Sequence, residues 1–128
     1  MHGKKEWSGS DWWDEADSRA EEYTDADRVA IVAASEEQDE WFAKLLDDNI
    51  PSDAPEAMDV AETARAFIDE WFYPLDHFGH LRLAHLYISD SAFTNHYENI
   101  RPGLARYVHD TIVANTSRYT IVIGTSTC

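Results

Sequence analysis

The fold is decided by the stretch DAPEAMDVAETARAFIDEWFYP, residues 53–74. Asp53, Pro55 and Glu56 provide an N-cap, a first-turn proline and a capping-box acid, which together start a helix. Pro74 ends this helix, because the proline ring clashes with the preceding turn. Between these limits, apolar side chains recur every three or four residues on one helix face, at Ala57, Val60, Ala61, Ala64, Phe67, Ile68, Trp71 and Phe72. The stretch therefore predicts a long amphipathic helix that packs against a core.

Two helices are predicted before this stretch. The first covers residues 8–23, where serine and aspartate are candidate N-caps and the surface is highly charged with a thin apolar face. Because such a helix is marginal alone, it needs a partner surface, and we interpret it as a candidate lid. Thr24 and Asp27 have the spacing of a capping box and open a second helix, which runs to about Asp48 and is expected to be only partly buried.

Three further helices are predicted after the proline. The first starts at Asp76 and is apolar on almost all sides, which predicts central burial. Residues 89–91, Ser-Asp-Ser, cap a short helix that runs to about Glu98. Pro102 marks the start of the last helix, which is expected to end near Thr116.

The chain is expected to form a single all-α domain of five to six helices. Its 128 residues are 44% hydrophobic and 12% aromatic, which is enough for one core, and no internal repeat or low-complexity linker divides it. The last nine residues, TIVIGTSTC, are rich in β-branched side chains without helical period and fit either an extended tail on the surface or an apolar chain end. The predicted organisation is a flexible N terminus at residues 1–10, lid helices at 11–48, a core at 53–118 and a tail at 119–128.

The net charge excludes a surface for direct nucleic-acid binding. The chain has 25 acidic and 10 basic residues, a net charge of -15, and such a surface repels a phosphate backbone. Residues 1–60 carry 18 acids and 5 bases, a net of -13, whereas residues 61–128 carry 7 acids and 5 bases, a net of -2. The acidic half is therefore expected to face solvent, and self-repulsion favours a monomer.

Cysteine content and hydropathy indicate a cytoplasmic protein. The only cysteine is Cys128, so there is no intramolecular disulfide and no thiolate cluster for a metal. The N-terminal residues lack the apolar segment of a signal peptide, and no apolar run approaches the ~20 residues of a membrane span. We expect a reducing, cytoplasmic setting and no membrane contact.

Residues 71–80, WFYPLDHFGH, form the candidate site, because they combine four aromatic residues, two histidines and a helix break. A cleft with aromatic walls and a few polar groups suits a small molecule, although the same side chains would also fill a core. His77 and His80 share a helix face and, with Asp76, suggest a metal site. They lack a third ligand, since His85 falls off that face. We therefore expect neither a metal nor another cofactor.

The sequence contains no motif of a known catalytic mechanism. There is no nucleophile elbow, phosphate loop or dinucleotide fingerprint, and Cys128 has no basic neighbour to activate it. Adjacent acids such as Asp47 and Asp48 point apart on a helix. A non-enzymatic role is expected, and an enzyme that uses His77 and His80, with or without a metal, is the alternative.

Several sequence segments together resemble a known family. Residues 53–115 resemble the core of the TipAS antibiotic-recognition domain, through the segments SDAPEA, IDEWFYP, LYISDSAFT and RPGLARY, the later segment IVAN, and His80. The segment DEADSRAEEYTDAD, residues 14–27, is similar to the N-terminal part of that domain. The resemblance covers residues 11–118.

The resemblance implies a globin-like helical fold without haem, in which flexible N-terminal helices close over a cleft when a ligand binds. Family members are usually the effector parts of MerR-type transcription activators, and some act alone as drug-sequestering proteins. We expect this chain to be the effector part in stand-alone form, without a DNA-binding head. Thiopeptide-binding members capture the drug through a cysteine near the cleft, whereas here Leu75 follows Tyr73 and Pro74 and no cysteine precedes Cys128. Covalent capture is therefore not expected.

The function implied by the resemblance is noncovalent binding or sequestration of a small-molecule or macrocyclic peptide antibiotic that is bulky and apolar. One alternative is a regulatory module that docks a protein partner in the same groove and acts with a separate MerR-type regulator, and another is a haem protein. The expected ligand contacts are Trp71, Phe72, Leu75, His77, His80 and Leu81 around the turn, Tyr87, Phe93 and Tyr97 on the following helices, and Trp12 from the lid. Of these, Trp71 is expected mainly to pack, and His77 and His80 to touch the ligand.

Overall fold

The computed structural model describes the backbone of residues 9–126 and the side chains of residues 13–119. This part of the chain contains six α-helices and no strand, so the predicted all-α fold class is confirmed. The helices are α1 (Gly9–Ala20), α2 (Asp25–Asp47), α3 (Pro55–Trp71), α4 (His77–Ser89), α5 (Ser91–Ile100) and α6 (Leu104–Ser126). Predictions made for residues 1–8 and 127–128 lie outside the described residues.

Side-chain caps start three helices where the sequence predicts them. The Thr24 hydroxyl accepts a hydrogen bond from the backbone N–H of Asp27, and the Asp27 carboxylate accepts one from the N–H of Thr24, both at 3.0 Å. Asp76 accepts a backbone N–H in the first turn of α4 at 2.7 Å, and Asp90 accepts one in the first turn of α5 at 3.0 Å. Each cap stabilises its helix by about 1 kcal/mol.

The start of α3 differs from the prediction. Its N-cap residue is Ala54, which makes no side-chain hydrogen bond, so the prediction of Asp53 as the cap was wrong. A turn closes before α3 through the N–H of Ala54 and the carbonyl of Pro51, 3.0 Å apart. This turn places Asp53 one residue ahead of the cap position, and Pro55 alone provides the predicted start.

α6 also starts and ends differently. It begins at Leu104, after Gly103 with a φ of 88°, and the Glu98 carboxylate accepts the N–H of Gly103 at 2.9 Å. Pro102 therefore lies ahead of the helix rather than in its first turn. α6 continues to Ser126, beyond the predicted end near Thr116. No proline follows Thr116, and β-branched residues cost a helix only a few tenths of a kcal/mol each, so nothing in the sequence stops the helix there.

α6 lies at the centre of the core. Leu104, Val108 and Ile112 recur at intervals of four on one face and are at most 1% exposed. They belong to one cluster with buried residues of α2, α3, α4 and α5. Burial of a side chain of this size stabilises a fold by about 1.5–3 kcal/mol. Over the described part of the chain, no helix has the length and apolar character needed to cross a membrane.

α4 is buried on its inner side only, so the prediction of central burial was wrong for part of this helix. Leu83 and Ala84 are buried, whereas Phe78 is 64% exposed and Leu86 is 39% exposed. α4 packs against α6 and α5, and these two neighbours leave its outer side in solvent. The exposed Leu86 nevertheless borders the pocket described next.

Candidate functional site

A pocket of about 410 Å³ lies between the helices, a volume typical of small-molecule sites. α2, α3, α4, α5 and α6 each contribute to its wall, which is mostly apolar. The aromatic side chains of the wall include Trp13, Phe42, Phe67, Phe72 and Phe93, and the aliphatic ones include Ile68, Leu83, Val108 and Ile112. A ligand in this space gains roughly 25 cal/mol for each Å² of apolar surface that it buries.

α1 borders the pocket through Trp13 and Ala16. Trp13 is 71% exposed although it lines the pocket, so this part of the wall is open to solvent. Part of the apolar surface of α1 is therefore exposed to water in the ligand-free protein. A ligand in contact with Trp13 would cover it.

Hydrogen bonds attach α1 to the C-terminal end of α3. The Arg19 guanidinium donates to the carbonyl of Asp69 at 2.7 Å and to that of Glu70 at 3.0 Å, and the Tyr23 hydroxyl donates to the carbonyl of Trp71 at 2.6 Å. Carbonyls in the last turn of a helix have no partner within the helix, so these donors satisfy them. We call these three hydrogen bonds the α1 latch.

His80 lines the pocket and carries a buried polar atom without a hydrogen-bond partner in the described part of the chain. It is 1% exposed, and its Nδ1 atom has no hydrogen-bond partner among the described residues. Burial, with the charge of Arg65 as a smaller cause, lowers the pKa of His80 to about 4. The imidazole is therefore neutral at pH 7, with one donor and one acceptor nitrogen. An unsatisfied buried group of this kind costs the folded protein about 1–3 kcal/mol.

Two phenols and a carboxylate of the wall lie near one another. The rings of Tyr87 and Tyr97 lie 5.2 Å apart, and burial raises the pKa of both phenols, so neither ionises near neutral pH. Asp39 joins them on the wall, and its carboxylate lies 2.9 Å from Nε2 of His96 on α5. Burial raises the pKa of Asp39 and the hydrogen bond to His96 opposes that rise.

A polar network around Glu62 lies on the other face of α3, away from the pocket wall. The Glu62 carboxylate is 2.7 Å from Arg65, 2.8 Å from Nε2 of His77 and 3.0 Å from the side-chain amide of Asn115. Arg65 also donates to the carbonyl of Leu75 at 2.6 Å. Burial alone would raise the pKa of Glu62, but the hydrogen bonds from Arg65, Asn115 and His77 outweigh it and hold the pKa at about 2. The Glu62 network thus joins α3, α4 and α6.

The described residues do not form a cluster of metal ligands. No group of three or more histidine, cysteine, aspartate or glutamate side chains converges there. His77 and His80 also do not act as a pair, because His77 is bound to Glu62 while His80 faces the pocket. The arrangement provides an apolar pocket with a neutral imidazole, three phenols, one amide, one hydroxyl and one carboxylate, which is suited to binding.

Comparison with known proteins identifies the family. The model of the TipAS antibiotic-recognition domain matches residues 3–115. The chain belongs to the TipAS antibiotic-recognition domain family. Among curated proteins, the TipA transcriptional activators of Streptomyces coelicolor and Streptomyces lividans are each 32% identical over 117 residues, which is 91% of this chain and 46% of each activator. The chain thus spans about half the length of these relatives.

Two solved structures of the TipAS family share this fold. TipAS of Streptomyces lividans in complex with nosiheptide superposes with a TM-score of 0.79 at 34% identity, over 86% of this chain and 77% of that one. The antibiotic-binding domain of a TipA-class multidrug resistance transcriptional regulator superposes with a TM-score of 0.66 at 37% identity, over 70% of this chain and 96% of that one. Both likenesses support the family resemblance that the sequence indicates.

The structure brings part of the expected TipAS-type ligand contacts together. The pocket wall includes Phe72, His80, Tyr87, Phe93 and Tyr97. The other expected residues with described side chains, Trp71, Leu75, His77 and Leu81, are not part of the wall. The side chain of Trp12 lies outside the described residues.

Those outlying residues have contacts elsewhere. Leu75 is 2% exposed and packs beneath the start of α4, where a Cβ on Gly79 would lie 2.8 Å from its Cδ1 atom. Trp71 packs edge-on against Tyr23, with ring centroids 5.4 Å apart. His77 stacks on Tyr119 of α6 at 4.0 Å while it contacts Glu62. Ligand contact by these side chains stays a prediction.

Sequence reasoning missed the wall residues that come from distant helices. They include Gln38, Asp39 and Phe42 on α2, Ala64, Phe67 and Ile68 on α3, and Val108 and Ile112 on α6. The helical spacing of Phe67 with Ala64 and of Val108 with Ile112 does identify inner faces. Helical spacing does not show which of these inner faces are separated by the pocket and which pack directly against each other. The sequence does not single out Gln38. The structure shows that this polar side chain is only 9% exposed and lies on the same helix as the buried Phe42 and Ala43.

Proposed function

We propose that this chain binds bulky, largely apolar peptide antibiotics of the thiopeptide type noncovalently in the pocket, without catalysing a reaction. The observation that carries the proposal is a largely apolar pocket of about 410 Å³ lined by side chains of all six helices, among them the buried His80. The nosiheptide complex of TipAS, at a TM-score of 0.79, supports the choice of ligand class. Noncovalent binding follows from the sequence, because no cysteine precedes Cys128.

The proposed setting is that of a cytoplasmic monomer whose helix α1 serves as a lid. A single cysteine and a net charge of -15 support this setting. An effector role beside a transcription regulator is the second candidate function, favoured by the match to the TipA activators. In that role, the bound antibiotic is the signal that the regulator receives.

The test of antibiotic binding uses nosiheptide and a matched pair of variants. Ala64 lines the pocket, whereas Ala66, on the same helix, is exposed. We expect isothermal titration calorimetry to show binding by the wild type, a loss of at least about tenfold in affinity for Ala64→Trp, and unchanged affinity for Ala66→Trp. The indole at position 64 would occupy space that the ligand needs. No binding by the wild type at near-millimolar nosiheptide, or equal affinities for both variants, would contradict the proposed function.

The α1 latch gives a second prediction, on how the lid contributes to affinity. Arg19→Ala removes two hydrogen bonds to α3, and we expect nosiheptide affinity to fall by roughly fivefold, or about 1 kcal/mol, because partly exposed hydrogen bonds contribute modestly. Amide hydrogen exchange should lose ligand-dependent protection in residues 9–20 and keep it in α6. Arg106→Ala is the control. Arg106 is exposed, and its contact with Asp110 is a long ion pair of 3.7 Å on the surface of α6. Equal affinity and equal protection in wild type and Arg19→Ala would show that the lid does not depend on the latch.

A further inference from the structure

The pocket wall carries a single kind of ionised side chain. Among its described residues, Asp39 is the only acid, and no lysine or arginine lines it. His80 is neutral because burial lowers its pKa to about 4, and burial keeps the phenols of Tyr87 and Tyr97 un-ionised. The charge of Asp39 is therefore not balanced by a cation on the wall itself.

Asp39 is held in place at the inner side of α2. Its side chain is 15% exposed, and one carboxylate oxygen, Oδ2, lies 2.9 Å from Nε2 of His96. The hydrogen bond with His96 on α5 holds that oxygen in position, while Asp39 itself lines the pocket. The charge is thus fixed in position beside an apolar cavity, where it is weakly screened by water.

The aromatic side chains of the wall favour the same sign of ligand charge. The faces of Trp13, Phe42 and Phe72 carry partial negative charge and attract a cation placed over the ring. An anion would meet these ring faces, the Asp39 carboxylate and a protein of net charge -15. The described wall offers an anion hydrogen-bond donors but no positive charge, because it contains no lysine or arginine.

We propose that the pocket selects aromatic ligands that are cationic or neutral and rejects anionic ones, with Asp39 as the residue that determines this specificity. The inference deepens the proposed function, since it concerns the ligand class of the same pocket. The Asp39 carboxylate binds a protonated amine, an amidinium-like group or a polarised N–H that the aromatic ligand carries. His96 acts as a positioning residue, because it holds the carboxylate toward the pocket from α5.

The test uses three dyes that share one xanthene frame and differ in net charge at pH 7.5. Rhodamine 123 is a cation, rhodamine 110 is a zwitterion without net charge, and fluorescein is a dianion. Fluorescence anisotropy in 150 mM salt is expected to give the order rhodamine 123, rhodamine 110, fluorescein, with the first at least about tenfold tighter than the last. We expect Asp39→Asn to reduce the preference for rhodamine 123 over fluorescein by about tenfold and Asp39→Glu to retain most of it.

The control substitution is Asp47→Asn, on the same helix. Asp47 is exposed and pairs with Arg101 at 3.0 Å, so its removal changes the net charge by the same amount without changing the pocket. A preference that falls equally in Asp39→Asn and Asp47→Asn would overturn the inference, because it would reflect overall charge. Fluorescein that binds as tightly as rhodamine 123, or no binding of rhodamine 123 up to near-millimolar concentration, would overturn it as well.

Nosiheptide titrated into the same samples separates this inference from the proposed function. Nosiheptide binding without discrimination among the dyes would overturn the charge selection and leave antibiotic binding in place. Charge selection through Asp39 without nosiheptide binding would support the inference and contradict the choice of thiopeptides as ligands. Circular dichroism of each variant establishes that the helical fold is retained.

Discussion

Replacing Glu62 with alanine is expected to lower the free energy of unfolding by about 3 kcal/mol, because donors on three helices lose their shared acceptor. The carboxylate accepts hydrogen bonds from Arg65 on α3, His77 on α4 and Asn115 on α6, at 2.7 to 3.0 Å. Without it, the Arg65 charge stays partly buried and keeps the carbonyl of Leu75 as a hydrogen-bond acceptor but loses its ion pair with Glu62. Urea unfolding followed by circular dichroism measures the loss.

Glu70→Ala is the matched control for that experiment. Glu70 lies on the same helix with an exposed side chain, and only its main-chain carbonyl takes part in the α1 latch. We expect this variant to change the free energy of unfolding by less than about 0.5 kcal/mol. A similar loss in both variants would mean that the effect at residue 62 is one of charge or helix propensity.

Acid should remove the contribution of Glu62. Its pKa in the folded protein is about 2, below the ordinary glutamate pKa of 4.5, so the carboxylate stabilises the fold above about pH 4.5 and loses that effect as the pH falls toward 2. Wild type and Glu62→Gln should therefore differ most in stability near neutral pH and converge on acidification. A stability difference that stays constant between pH 6 and pH 3 would contradict this account of Glu62.

The second large effect is expected at His80, where stability and binding should change in opposite directions. His80→Leu removes a buried nitrogen without a partner, so we expect the ligand-free protein to gain up to about 1 kcal/mol of stability. The same change removes the neutral imidazole from the wall, and nosiheptide affinity should fall by about tenfold, equivalent to about 1.4 kcal/mol. Urea unfolding and calorimetric titration of the same sample measure both quantities.

His85→Leu serves as the comparison, because His85 lies on α4 with an exposed side chain outside the pocket wall. It should leave affinity unchanged. If His80→Leu instead destabilised the protein and left affinity intact, His80 would be a packing residue and the pocket would bind through apolar contacts alone.

Local patterns in the sequence predict the helices because the information for each helix is local. The Thr24–Asp27 capping box, Pro55 and Asp76 each act within one turn, and their effects are visible in the chain as written. The end of α6 could not be predicted in this way. A run of β-branched residues is a weak preference rather than a stop, and α6 continues through it to Ser126.

The pocket was predictable only in part, because it depends on where separate helices leave a gap. The helix break near Pro74 draws attention to Phe72 and His80, and both residues line the pocket in the structure. The partners from α2, above all Asp39, come from a helix whose inner face is set by the packing of the whole bundle. His77, three residues before His80, faces the Glu62 network instead, a difference of orientation that helical spacing alone does not give.

α3 presents different chemistry on two faces, and this separation has a consequence for how the family diversifies. Glu62 and Arg65 join the polar network on one face, while Ala64 and Ile68 meet the pocket on the other. Substitutions at the pocket positions can therefore accumulate under selection by new antibiotics while the network continues to support folding. A lineage that faces a changing set of toxins can in this way acquire new recognition from one helix without first evolving a more stable scaffold.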